Sequence, residues 1–383
     1  MRLLDLLPDT PANRQRRVKL LLDQALVFAR LSRLVEYRDL LYRFEEVVAE
    51  RGGASLGAFC GRLGHCCFFM GDFHRAEEYV TQAIDRCELA GNPLDAAHAV
   101  LVLQLVRHFQ GQSMAVIELT GGVLGLTATE PHSRLRVWTL CVTSDACSQL
   151  GRWNEAISAG TEALRIGRES NDSSSISAAA AVGLAIPYVL SGNLDKALEY
   201  TDVALAAAPT PVDRMQAVYI RGVALLQQGD AIAAIPLLEE AMGLLRTTGY
   251  ILRVHNEPFV AQAYLQAGRT AEAAQLARET VELAERCGAN LGAAMARSAL
   301  GEALAITGSW EEAAACFERS IALLRPMGNR GFLGLAHAGY GRLHRRLGNI
   351  AEARAHYTRA LGIFEEIGHL LEPGRIRGEL AAL

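Results

Sequence analysis

The residues of this 383-residue chain best suited to chemistry are a few histidines and thiols. His65, Cys66 and Cys67 are consecutive, Cys60 precedes them by about one and a half helical turns, and His98 and His108 follow. Imidazoles titrate near neutral pH and serve as acids, bases or metal ligands, and a thiol beside an imidazole is the start of a nucleophile pair. Spacing argues against both uses. Adjacent positions on a helix point in different directions, and a closed zinc site would need further ligands from elsewhere. The eight cysteines form no metal-type CxxC pair and fall in apolar segments, so they read as buried free thiols of a reducing, cytoplasmic setting. His344 and His356 also lack a ligand spacing. No GxxxxGK[ST] loop, GxSxG elbow, HExxH helix or strand-borne GxGxxG occurs. We therefore expect no enzyme, no metal and no cofactor. One alternative stays open: a solenoid enclosing a small molecule, with His65, His98 and His108 as acid–base groups or ligands.

A second group carries charge. Arg342, Arg345 and Arg346, with Arg354 and Arg359 close behind, have the side chains to meet phosphate. Glu352, Glu365 and Glu366 interleave with them, no aromatic platform adjoins, and the chain's formal charge is −4 with a pI near 6.2. Nucleic acid is disfavoured as a partner. A membrane is disfavoured too, since no charge-free, breaker-free apolar run reaches about 18 residues. Ser175 to Leu190, Ala-rich and containing Pro187, reads as a buried helix. The opening apolar stretch is short and interrupted by Asp5, Pro8 and Asp9, unlike a signal peptide.

The elements that must position these residues are announced by glycines. Gly71, Gly111, Gly151, Gly192, Gly229, Gly268, Gly308 and Gly348 are separated by 40, 40, 41, 37, 39, 40 and 40 residues. A second series, Gly91, Gly249, Gly288, Gly328 and Gly368, lies 20 residues after members of the first, and Asn171 holds the same place after Gly151. Two evenly phased turns per 40 residues mean two helices of about 16 residues each. Asp72, Asn193, Asp230, Ser309 and Asn349 follow loop glycines as helix-starting caps. The pairs Gly52-Gly53 and Gly121-Gly122 are expected at or near helix ends. Ala76, Ala156, Ala197, Ala234, Ala273, Ala313 and Ala353 recur five residues after the loop glycine, and Gly64, Gly222, Gly301 and Gly341 seven before it. Half of the residues are apolar but only 6% aromatic, so small side chains set the close crossing of paired helices.

Leu300-Gly301, Ala313 and Phe317, and again Tyr340-Gly341, Ala353, Tyr357 and Ala360, resemble the tetratricopeptide repeat. The resemblance runs from about residue 53 to 368. It departs from the usual period of about 34 residues, and the unit 93–130 is degenerate, with Val116, Thr120 and Val123 at the key places. The long-period form is similar to the helical-repeat arms of bacterial signalling ATPases, cyclase-linked ATPases and maltose-activator-like regulators. The opening Leu-Leu-Asp-Leu-Leu-Pro-Asp-Thr-Pro followed by a basic helix looks like the junction where such arrays begin.

The expected fold is an all-α superhelical solenoid: a lead-in (1–12), an atypical first hairpin (13–52), a repeat array (53–368) and a capping helix (369–383), about nine hairpins and a cap. The resemblance implies that the concave face takes the ligand. By phase from the loop glycine, that face would carry His65, Phe68, Phe69, His98, His108, Phe109 and Trp138, then Tyr219 and Gln227, then Gln262, Gln266, Glu302, Arg342, Arg345 and Arg346. Such a groove suits an amphipathic helix or an extended segment with acidic residues. Family members that hold chaperone tails or short peptide pheromones use Asn on the inner helices. Here only Asn256 falls within a first helix, which disfavours those ligands. The role implied is a bacterial interaction scaffold or sensor that binds a protein or peptide segment and regulates a signalling or effector protein. Self-association through the end hairpins stays open. With each hairpin touching mainly its neighbours, the array is expected to flex like a spring.

Overall fold

The computed structural model describes residues 8, 10–50 and 53–383. Residues 1–7 and 9 of the expected lead-in, and Gly52 of the first glycine pair, lie outside them. The described chain is an all-α superhelical solenoid, with no strand among the described residues. Eight regular hairpins run from Gly53–Phe69 with Phe73–Leu89 to Arg330–Arg346 with Ile350–Glu366. Ahead of them stands an irregular hairpin whose two arms are each broken in two: Pro11–Asp23 and Ala25–Arg30, then Leu34–Tyr42 and Glu45–Ala49. A last helix, Glu372–Ala381, follows the array.

The local chemistry explains the turns. All eight loop glycines have positive φ, from 74° at Gly151 to 91° at Gly229, a region closed to most side chains. Asn171 takes the left-handed place in the second series at φ 50°, and Ser32 does so in the irregular first hairpin at φ 56°. Asp72, Asn193 and Asp230 then accept the N–H three residues on, at 3.2, 3.3 and 3.0 Å. Ser309 and Asn349 make no such bond. Where paired helices cross, a Cβ on Gly64 would come within 2.5 Å of Val80, and one on Gly341 within 2.7 Å of Tyr357. Gly121 and Gly122, expected at a helix end, lie inside the helix Ser113–Leu126 facing open space. This helix belongs to the degenerate unit, and no close neighbour there demands a larger side chain.

One helix departs from regularity. Ser173–Ser191 is long and apolar enough to cross a membrane by length and composition, yet two-thirds of its apolar window, 67%, is buried inside the solenoid. Between Ala179 and Ala185 it widens into a π turn. Pro187 has no N–H to give the carbonyl of Gly183 four residues back. That carbonyl instead lies 2.8 Å from the hydroxyl of Ser144 on the neighbouring inner helix, which also reaches Ala156 O at 2.8 Å. The substitute donor is possible because Gly160 lets the next helix touch this backbone: a Cβ there would sit 1.9 Å from Gly183 O.

The superhelix closes on itself. Loop glycines of the first turn meet the ends of outer helices one turn later: a Cβ on Gly71 would strike Cys287, one on Gly111 Met327, and one on Gly151 Ile367, each 216 residues further on. Hydrogen bonds stitch the same seam. Ile251 N donates to Phe69 O at 2.9 Å, the Tyr250 hydroxyl accepts from Leu34 N at 3.2 Å, and Leu370 N donates to Ser191 O at 2.8 Å. The Trp153 indole donates to Ile367 O. Gly229, Gly268 and Gly348, with no turn beyond them, have nothing within 4 Å. The expected free spring is thus corrected: the rotation per hairpin brings successive turns into contact, and long-range bonds hold them there.

Candidate functional site

Closure leaves an internal channel. Its narrow part, about 200 Å³, is walled by the first helices of seven consecutive hairpins, from Pro93–Phe109 to Arg330–Arg346. Leu105, Val142, Ile186, Ile220, Phe259 and Phe332 make the wall largely apolar. Of the residues singled out in the sequence, His108, Phe109, Trp138 and Tyr219 line this part together.

Its polar groups centre on Asp145. The carboxylate Oδ2 lies 3.2 Å from His108 Nε2. Gln149 Nε2 is 3.5 Å from the other oxygen, and its own Oε1 accepts from the Ser113 hydroxyl at 2.9 Å. Burial pushes the Asp145 carboxyl up, but the charge and hydrogen bond of His108, with help from His255 and Gln149, outweigh it and hold the group below its usual range. His255 stacks on Phe109 with ring centres 4.0 Å apart. Burial, then His108, drives its pKa down to about 3, so it is a neutral imidazole. Burial, then Asp145, raises the Tyr219 hydroxyl well above its ordinary value. Two buried atoms of the wall have no partner: His255 Nε2 and Gln216 Oε1. Asn256, the single Asn foreseen on a first helix, lines the same space.

Past Gln149, Leu190, Phe259 and Phe332 the channel opens into a chamber of about 690 Å³ at the C-terminal end. Arg342 and Arg345 line it but are already paired, with Glu302 and Glu379 respectively. Arg375 pairs with Glu372 at 2.7 Å, and Arg346 donates to Ala305 O at 3.1 Å. The three arginines that line the chamber thus each hold a carboxylate of the chain itself. One buried acceptor, Gln227 Oε1, has no partner here.

The remaining sequence candidates sit elsewhere. Phe68 has no exposed surface and packs edge-on against Phe109 in the core. Phe69 is half-buried at the seam, against Tyr250. The rings of His65 and His98 touch each other at 5.1 Å, whereas the ring neighbours of His108 are Phe109 and His255. The three imidazoles do not form one constellation, and no metal-capable group of three His, Cys, Asp or Glu occurs among the described residues. All eight cysteines are free; burial pushes the Cys66 and Cys141 thiols up to about 12. Asp145, Gln149, His255 and Gln216 were not singled out from the sequence. An acidic residue among the buried positions of the inner helix Arg134–Gln149 was the available signal for the first.

Family models described as tetratricopeptide repeat match residues 58–88, 191–244 and 292–366. No curated protein matches the sequence. Among solved structures, a Rap protein complexed with Competence and Sporulation Factor superposes with a TM-score of 0.67 at 13% identity, covering 92% of this chain and 98% of that one. The Rap conjugation gene regulator of the plasmid pLS20, in complex with the Phr* peptide, gives 0.58 at 14%, covering 82% and 96%. A human IFIT1 dimer with m7Gppp-AAAA gives 0.53 at 15%, covering 98% and 86%. At these identities the likeness is one of fold.

Proposed function

Because the chain is a solenoid of tetratricopeptide repeats wound around a closed channel, we propose that it is a non-catalytic receptor for a linear peptide segment. Occupancy of the channel would govern its contact with an effector protein. One observation carries the reading: an apolar tube, walled by seven inner helices, contains buried acceptors that lack donors. Gln216 Oε1 stands in the tube and Gln227 Oε1 in the chamber beyond it, and a peptide's backbone N–H groups are what such atoms need. Asn256 and Gln216 supply amide side chains on the inner helices, where the sequence had offered a single Asn. The superposed regulator bound to the Phr* peptide supports this use of the fold. A phosphate-backbone ligand is less well served, since Arg342, Arg345 and Arg375 already hold carboxylates.

The test is affinity selection of host peptides on the full chain, with binding followed by the fluorescence of Trp138 in the channel wall. Replacing Gln216 and Asn256 together by Ala should weaken a selected peptide roughly 30- to 150-fold, at about 1–1.5 kcal/mol for each hydrogen bond lost. Peptide binding that this variant leaves unchanged would place the ligand outside the channel.

A further inference from the structure

Away from the channel, a groove of about 510 Å³ runs between the helix Pro11–Asp23 and the inner helix Gly53–Phe69. Its floor is Arg62. Only one guanidinium nitrogen has a partner: Nη2 donates to Asp95 Oδ1 at 2.8 Å, while Nε and Nη1 are buried and meet none. Asp95 meets the guanidinium through one oxygen. Its Oδ2 accepts from Asn92 at 2.6 Å, and its place in the first turn of Pro93–Phe109 already stabilises its charge. Behind Arg62 lie His65 and His98, which burial and the Arg62 charge together keep neutral. At the mouth, Arg16 and Lys19 stand one turn apart on the exposed face of the first helix. Three cations thus face two carboxylates, Asp23 and Asp95, and the second of these is shared with Asn92.

A buried guanidinium with idle donors wants an oxyanion, and its planar fork matches the spacing of phosphoryl or carboxylate oxygens. The surplus of cations favours the group that carries nearly two charges at neutral pH. Val18, Leu22 and Ala58 give the groove an apolar wall for whatever bears that group. We infer that the groove binds a small phosphate monoester, with its phosphoryl oxygens on the Arg62 guanidinium and under Arg16 and Lys19. The inference is independent of the peptide reading, because no residue of the groove lines the channel.

The probe is phenyl phosphate added to the full chain, with thermal unfolding and calorimetric titration read against sodium chloride and sodium acetate of equal ionic strength. Phenyl phosphate should raise the melting temperature where the other salts do not. Arg62→Gln should weaken binding at least tenfold and Arg16→Ala with Lys19→Ala several-fold, while Arg342→Gln, in the channel, should leave it unchanged. If Arg62→Gln fails to fold, the exposed double variant decides alone. Equal stabilisation by chloride, equal binding of acetate, or undiminished binding by the double variant would each overturn the assignment.

Discussion

The Ser144 hydroxyl sits where two neighbouring helices meet backbone to backbone at Gly160 and Gly183, and it supplies the donor that Pro187 lacks. Ser144→Ala should leave Gly183 O buried and unpaired and cost about 1–3 kcal/mol in urea unfolding. A change within a few tenths would mean the carbonyl finds another donor. Acid should weaken the molecule at a second residue cluster. His337 and His356 face each other, Nδ1 to Nδ1, at 3.0 Å, with Tyr340, His344, Arg325, Arg359 and Glu352 around them. Burial first, then His356 for one ring and Arg359 for both, lowers each pKa from 6.5 to about 4. Between those values the unfolded chain binds more protons than the folded one, so stability is complete above about pH 6.5 and falls as pH drops toward 4. In His356→Gln the melting temperature should decline less steeply over that interval. An unchanged slope would show that other groups control acid unfolding. None of this was visible in the residue types: a histidine 19 positions from another carries no sign that a hairpin folds them ring to ring.

At the scale of the helix, much was legible because it is local. The loop glycines, the left-handed Asn171 and the small residues at helix crossings follow from backbone sterics within one hairpin. The inner helices were identified, but their channel-facing residues only in part. Phase from a glycine separates inner from outer sides, yet it does not tell a channel-facing Phe109 from a Phe68 wedged between hairpins, because neighbouring helices bury both flanks. The π turn was also beyond reach, since Pro187 could have kinked the helix or ended it; the partner on another hairpin decides. That dependence makes a prediction for the pair. Pro187→Ala and Ser144→Ala should be coupled, the double variant recovering about 1 kcal/mol of what the serine change alone loses, measured as a double-mutant cycle. Strict additivity would separate the π turn from the hydroxyl. A second contrast isolates the seam. Gly151→Ala and Gly348→Ala both force Ala to positive φ, costing about 1–2 kcal/mol, but Gly151 alone presses on Ile367. Its variant should lose a further 1–3 kcal/mol or so through overpacking, and equal losses would mean the seam yields freely.

For the whole molecule, the decisive property is closure, and nothing local announced it. A slight rotation between hairpins, repeated over 216 residues, decides whether Gly71 meets Cys287 or open solvent. The ladder of glycines looks the same either way. Removing residues 370–383 should therefore act at a distance. It deletes the bond from Leu370 N to Ser191 O and the contact of Arg375 with Gln227 O, and hydrogen exchange should quicken at the far end of Ser173–Ser191 while the N-terminal hairpins keep their protection. Uniform protection would show that the seam contributes little. Closure also bears on how such a chain can change over generations. An open array tolerates the gain or loss of a unit, because each unit answers only to its neighbours. Here an added or missing hairpin between Gly71 and Cys287 would present every later outer-helix end to the wrong loop, so a change in unit number would cost the seam its matched contacts.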